Sequence, residues 1–281
     1  MAIEKVNIVD ADSMLYIVAW NNSNSDDLLD YINYLREWLY LMTEKTGCDK
    51  FVGFLTDGRK NFRYKAAKTR PYKGNRKGKP RPKFLDEMKQ HLVEHFGFIM
   101  DPNLEADDLC LMYANKLSKE GTAWIISSPD KDLRQLPGWF YNYRKDSFEK
   151  ISKEQAEYNF YSSMLEGDSS DNIQGIPKVG AKTAIKILDA GIKEGKPLAT
   201  IVAQEYIKAY GPMARMRYNE EHSLLFIWRD PSKFDFSTTV PQVAEHIEVI
   251  TEITQNNDIP EIPDIEPVTE FYDNFDDEAP F

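Results

Sequence analysis

Three short, largely apolar runs, Val6 to Val9 with Asn7 inside it, Phe51 to Leu55 and Trp124 to Ile126, do most to set the fold class of this 281-residue chain. Continuous apolar runs of that length suit strands buried on both faces, as in a parallel sheet. Between the first two lies a helical pattern over Asp26 to Lys45. Leu28, Ile32, Leu35, Leu39 and Met42 recur there at three- and four-residue steps. Ser25 is the expected N-cap and Gly47 the expected stop. Glu105 to Leu117 is also helical, with Leu109, Met112, Tyr113 and Leu117 toward a core. Strands alternating with helices predict an α/β domain with a mostly parallel sheet. Ligands of such sheets gather beyond the carboxyl ends of the strands. Asp10 and Asp57 follow the first two runs, and Asp130 and Asp132 follow the third, so all four are placed to face one crevice.

The chain divides by character. Residues 1–151 carry the alternating pattern, residues 152–237 are helical and strand-poor, and residues 238–281 are acidic and increasingly rich in Pro, Asp and Glu. The formal charge is -11, but thirteen of the acids lie beyond Lys233, where there is no Lys or Arg; residues 1–233 therefore sum to +2. Within them, Arg59 to Lys83 holds twelve Lys or Arg and no acid. Local charge, not the net value, reports on a polyanionic partner. Cys48 and Cys110 are too few for a disulfide scaffold and lack metal-ligand spacing. No apolar stretch is long enough to span a bilayer, and the first residues show no signal-peptide pattern. These features predict a soluble protein of a reducing cytoplasm.

Acids cluster in LEADD (Leu104 to Asp108), SPDKD (Ser128 to Asp132) and GDSSDN (Gly167 to Asn172). Packed together, such carboxylates need cations; scattered, they are surface decoration. Hydrolysis of phosphodiesters by two divalent ions calls for several hard oxygen ligands of this type. On an ideal helix Glu105 and Asp108 share a face and Asp107 points away, so one face cannot present all three. Some irregularity at the helix start, or divided roles, is expected. Asp12 is a further acid, either a supporting group or a helix cap.

LEADD, SPDKD and LEGDSSDNIQGIPKVGAKTA (Leu165 to Ala184), in that order and spacing, resemble the 5′-nuclease, or flap endonuclease, family. That family includes the 5′-nuclease domain of bacterial DNA polymerase I and the stand-alone 5′-exonucleases of tailed phages. The resemblance covers about Val6 to Leu188, and PMARMRYNEEHSLLFIWRD (Pro212 to Asp230) looks most like the phage enzymes. It implies a PIN-like sheet flanked by helices, a helix-hairpin-helix (helix–three-turn–helix) region, and two Mg²⁺ ions, with Mn²⁺ able to substitute. By motif match, Asp10, Asp57, Glu105 and Asp107 look like ligands of the tighter site. Asp108, Asp130, Asp132, Asp168 and Asp171 look like direct or water-mediated ligands nearer the second. Two departures stand out: the family often has Gly and a basic residue where this chain has Ala11 and Ile17.

The basic segment, about residues 59–85, interleaves its cations with Phe62, Tyr64, Tyr72 and Phe84. That mix suits unpaired nucleic acid, with cations for phosphates and rings for bases. Pro71, Gly74, Gly78, Pro80 and Pro82 argue against one continuous helix. The resemblance makes this segment an arch or clamp. PYKGNR (Pro71 to Arg76) matches a family motif in which Lys73 reaches the scissile phosphate, Arg76 supports it and Tyr72 stacks on a base. Arg63 is a further phosphate candidate. IQGIPKVGAKTA (Ile173 to Ala184) reads as the hairpin of the helical region. Gly175 and Gly180 allow the turn, and Lys182 and Thr183 stand at the next helix start, where amides receive a phosphate. The family binds K⁺ there through carbonyls.

The sequence thus points to a metal-dependent 5′→3′ exonuclease with flap endonuclease activity. Expected partners are DNA with 5′ ends, flaps or RNA–DNA hybrids. The expected form is a monomer, in a host cytoplasm if phage-encoded. The acidic tail is either a solvating segment or a dock for replication proteins. A catalytically silent junction-binding module is the alternative of another class, and a PIN-type RNase the alternative enzyme.

Overall fold

The computed structural model describes residues 4–58 and 61–243. Within them, β1 (Lys5–Asp10) leads into α1 (Ala11–Asn21) and α2 (Leu28–Thr46), then β2 (Lys50–Thr56). The basic stretch holds α3 (Phe62–Ala66), only five residues long, and a short 3₁₀ turn at Gly74–Arg76. Next come α4 (Leu85–Phe96), β3 (Ile99–Asp101), α5 (Ala106–Lys119), β4 (Ala123–Ser127), β5 (Gly138–Asn142) and β6 (Ser147–Ile151). The helices α6 (Lys153–Glu166), α7 (Ala181–Lys193), α8 (Leu198–Tyr210) and α9 (Ala214–Leu225) follow, and β7 (Gln242–Val243) closes the described chain.

The sheet order is β3-β2-β1-β4-β5-β6, with β7 beside β2. β1 pairs in parallel with both β2 and β4, so the three apolar runs form the centre of the sheet. β5 joins β4 in parallel, and the β5–β6 hairpin is antiparallel. Side chains alternate between faces. Val9, Phe51, Leu55 and Ile125 pack under α1, α2 and α4. Val6, Ile8, Phe54 and Trp124 pack under α5. The expected helix over 26–45 is α2, displaced by a residue or two. Its N-cap is Asp27, which accepts from Leu29 N, and not Ser25, whose hydroxyl accepts from Asp27 N and donates to Asp30. Gly47 ends it at φ 60°, a left-handed conformation suited to Gly.

The four helices α6 to α9 gather a core of their own around Phe160, Met164, Leu188, Tyr206 and Tyr218. The expected boundaries need correction. Beyond Leu225 the chain returns to the sheet: Ile227 and Phe236 enter the core under α5, and Phe236 meets Phe54 and Tyr113 at ring-centroid distances of 6.2 Å and 5.3 Å. β7 then pairs antiparallel with Lys50 and Phe51. Burying these rings holds residues 226–243 against the sheet, so they belong neither to the helical layer nor to a loose tail beginning at 238. The rest of the expected tail, 244–281, lies outside the described residues. Among the described residues no helix is long and apolar enough to cross a membrane, and both cysteines are buried and free.

Candidate active site

The chain leaves β1 toward β2 on one side and later returns to β4 on the other, which opens a crevice at the carboxyl end of β1. Asp10 sits there. It ends β1 and caps α1, its Oδ1 accepting from Asp12 N at 3.2 Å and its Oδ2 from the Ser128 hydroxyl at 2.7 Å. Around it, Asp12, Glu105, Asp107, Asp130, Asp132, Asp168 and Asp171 line one cleft of about 680 Å³ together with Lys73 and Arg76. The acids are gathered, not scattered.

Their charge balance divides them. Asp10, Asp107, Asp130, Asp132 and Asp168 make no ion pair among the described residues. Burial, with Asp12 and Asp130 nearby, pushes Asp10 up to about 7. Burial, with Asp130 and Asp168, pushes Asp132 up to about 8. Asp107 is raised well above the usual carboxylate range by burial and by Asp10 and Asp130. Protein alone therefore leaves uncompensated negative charge in the cleft. Such a hard-oxygen donor set suits a divalent cation of the Mg²⁺ type. Among the described residues no three His, Cys, Asp or Glu side chains converge as a ready-made chelate. A cation here would be held partly through water, as Mg²⁺ commonly is.

Glu105 and Asp171 are compensated by the basic segment. Lys73 Nζ lies 2.6 Å from Glu105 Oε1 and 3.7 Å from Asp171 Oδ2, and Arg76 Nη2 lies 2.6 Å from Asp171 Oδ1. Burial would raise Glu105, yet Lys73 and Arg63 hold it below the usual range. Asn61 Nδ2 also donates to Glu105 at 2.9 Å. Asn75 donates to the carbonyls of Ser169 and Ser170, and Asn172 to that of Pro71, so the PYKGNR turn is seated on the GDSSDN loop.

Four residues stand elsewhere than the sequence suggested. Asp108 is fully buried and lines no part of the cleft: its oxygens take a two-pronged hydrogen bond from Arg63 at 2.6 Å and 2.7 Å, and Trp228 N donates to it at 2.9 Å. Its carboxylate is spent on that pair. Arg63 is correspondingly only 2 % exposed, so it does not present a guanidinium to a phosphate. Tyr72 is 4 % exposed, and its hydroxyl lies 2.8 Å from Glu105 Oε2 and 2.7 Å from Asp171 Oδ2, its single proton serving one of the two; a ring so enclosed cannot stack on a base. Asp57, exposed after β2, is not among the cleft residues. The irregularity expected in LEADD is real: Glu105 is the N-cap of α5, outside helical geometry, so it and Asp107 both reach the cleft while Asp108 turns inward.

Asp12 gains a place, lining the cleft and accepting from Thr56 N at 3.1 Å. Ser128 and Asn61 were not singled out in the sequence. The signal for each was weak: a Ser directly after a buried strand, and an Asn in N-cap position before Phe62.

The GDSSDN loop closes by paired backbone bonds between Asp168 and Ile173 at 3.0 Å and 2.7 Å. Gly175, at φ 62°, packs against Gly167, and a Cβ there would stand 2.3 Å from Gly167 N. The tight turn carries the chain to Gly180, the N-cap of α7, where no side chain caps the helix. Lys182 and Thr183 are exposed on its first turn, outside the cleft.

Residues 5–161 match the family model described as 5′-3′ exonuclease, N-terminal resolvase-like domain. The chain is 35% identical over 135 residues to a 5′-3′ exonuclease of Buchnera aphidicola subsp. Baizongia pistaciae, covering 42% of this chain and 43% of that one. It is 32% identical over 169 residues to the flap endonuclease Xni of Shewanella sediminis, covering 52% and 64%. The matches thus span about half the length of these curated relatives. Its fold resembles that of the T5 D15 protein co-crystallised with metal ions, with TM-score 0.61, 18% identity, and 82% and 90% of the two chains covered.

Proposed function

The chain belongs to the 5′-3′ exonuclease family through its N-terminal resolvase-like domain, and from that premise we propose that it is a divalent-metal-dependent 5′→3′ exonuclease with structure-specific 5′-flap endonuclease activity. One observation carries the reading. Asp10, Asp107, Asp130, Asp132 and Asp168 face one cleft without cationic partners among the described residues, beside Lys73 and Arg76. The names of the relatives, 5′-3′ exonuclease and flap endonuclease, support it.

Those five carboxylates would hold the ions, with Glu105 and Asp171 added when Lys73 and Arg76 turn to substrate. Divalent cations held there would supply Lewis acidity toward the phosphoryl oxygens and acidify a water. The chain does the rest. Lys73 and Arg76, already at the cleft, exchange Glu105 and Asp171 for oxygens of the scissile phosphate and stabilise its developing charge. Water attacks phosphorus, the 3′ oxygen leaves, and the products carry a 5′-phosphate and a 3′-hydroxyl. Exposed cations such as Lys65, Lys68, Arg70, Lys77 and Lys79 track the strand. Lys182, Thr183 and the first amides of α7 take a duplex phosphate by shape, not base identity.

In this reading Mg²⁺ is the working ion, Mn²⁺ substitutes, and K⁺ sits on the carbonyls of the hairpin at Gly175 to Gly180. The substrates are DNA 5′ ends, flaps and the RNA of RNA–DNA hybrids, handled by a monomer during phage DNA replication or recombination in the host cytoplasm. The acidic tail docks replication proteins. A catalytically silent module is not favoured, because the unpaired carboxylates are retained. The test is digestion of 5′-flap, blunt-duplex and hybrid substrates with Mg²⁺ and with EDTA. Absence of metal-dependent cleavage on all three would refute the proposal.

A further inference from the structure

The geometry points to Arg63 and Asp108 as a positioning strut that fixes the root of the basic segment and the end of α9 to the start of α5, and so sets Glu105 in the cleft. The inference rests on the reading of that cleft as a nuclease site. It assigns to these two residues neither metal nor phosphate.

Three parts of the chain that are distant in sequence meet at this pair. Arg63 belongs to α3, Asp108 to the first turn of α5, and the carbonyls of Leu224 and Phe226 to the end of α9. Arg63 gives Nη1 and Nη2 to Asp108, Nε to Leu224 O at 3.1 Å and Nη2 also to Phe226 O at 3.0 Å. Asp108 takes, besides, Trp228 N at 2.9 Å and Glu105 N at 3.1 Å. Both side chains are almost fully enclosed, at 3% and 0% exposure. A planar fork and a carboxylate satisfy each other in this way with little freedom of direction.

Glu105 is held at both ends by the consequence. Its backbone amide is tied to Asp108, which fixes the N-cap geometry of α5. Its carboxylate accepts from Asn61, Tyr72 and Lys73, with Arg63 Nη1 at 3.5 Å. Every one of those four donors lies between residues 61 and 73. Asn61 in turn accepts from Arg63 N at 3.0 Å. The base of the arch thus forms a cage around one cleft carboxylate, and the strut is what anchors the cage. Buried ion pairs contribute little net stability but punish loss of one partner, which suits a part whose task is direction.

The experiment uses the full-length chain and the variants Arg63→Lys, Asp108→Asn and the double variant, with Asp130→Asn for comparison. Arg63→Lys keeps the charge and loses the fork, so it remains measurable if harsher changes do not fold. Three quantities are read: the Mg²⁺ concentration giving half-maximal cleavage of a 5′-flap, flap binding in EDTA, and amide hydrogen exchange of residues 61–76 in EDTA. Both single variants are expected to raise the Mg²⁺ requirement roughly tenfold or more, as loss of an orienting partner does. Both should speed exchange over 61–76, and the double variant should be no worse than either alone. Asp130→Asn should raise the Mg²⁺ requirement without touching exchange. If Asp108→Asn behaves like Asp130→Asn while Arg63→Lys is silent, Asp108 is a ligand and the strut is wrong. Loss of flap binding in EDTA by Arg63→Lys, with exchange unchanged, makes Arg63 a phosphate contact and overturns it equally. Should the unaltered chain cleave nothing, the nuclease reading fails, while exchange still decides whether the strut exists.

Discussion

Lys73 places its ammonium 2.6 Å from Glu105 Oε1 while its own backbone amide donates to Asp171 O at 2.8 Å. One residue therefore joins the basic segment to two acidic motifs. In the proposed mechanism that ammonium transfers to substrate. Lys73→Ala should slow single-turnover flap cleavage by about 10² to 10³-fold, with flap affinity in EDTA little changed. An equal loss in affinity and none in rate would show that Lys73 only binds.

Asp130 and Asp132 line the cleft with no cationic partner among the described residues. Replacing both with Ala should abolish measurable cleavage, a fall of roughly a hundredfold or more, with DNA binding retained. The same variant, freed of repulsion, should melt higher than the unaltered chain in EDTA. Undiminished cleavage would remove these residues from the metal set.

The cleft should also show in the pH dependence of stability. Asp10 is pushed up to about 7 and Asp132 to about 8, from an ordinary 3.8. Both bind protons more tightly folded than unfolded. The stability they lend is full below the ordinary value and is lost as pH rises through the raised ones. In EDTA the melting temperature should therefore fall between about pH 5 and pH 8, and Asp10→Asn should flatten that fall. A melting temperature that rises across this window in EDTA counts against the assignment.

Tyr72 separates two roles that the sequence alone allowed. As a buried hydroxyl serving Glu105 and Asp171, it should lose about 1 to 3 kcal/mol on Tyr72→Phe, measured by urea unfolding in EDTA. A ring that stacks on a base would tolerate Phe without loss.

Gly175→Ala probes the hairpin. The left-handed φ of 62° and the contact with Gly167 predict a loss of more than about 2 kcal/mol, together with weaker duplex binding. A variant that melts normally would show that the turn can open without harm.

Much of the sheet was legible because β1, β2 and β4 are buried on both faces and so read as short, mostly apolar runs, the buried Asn7 being the one polar residue inside them. Glu105 reads as the first helical residue of α5 and is its N-cap; Gly47 was legible as the stop of α2 because it is local. Asp108 and Arg63 were not. They stand 45 residues apart, and nothing in an isolated LEADD motif says which of its acids turns inward. Tyr72 misled for a related reason: a tyrosine among lysines looks exposed until the partners of its hydroxyl are known. The β5–β6 hairpin went unread, since β6 is largely exposed and offers no apolar run.

The return of the chain after α9 bears on how this protein can be divided. Residues 5–161 look like a module, yet Ile227 and Phe236 complete the core beneath α5, and Gln242 and Val243 pair with β2. A fragment ending after α6 would bare that apolar face and leave one side of β2 short of its partner strand. During synthesis the same surfaces stay open until some eighty further residues have emerged. The segment that carries the family match thus shares its core and its sheet with residues 226–243.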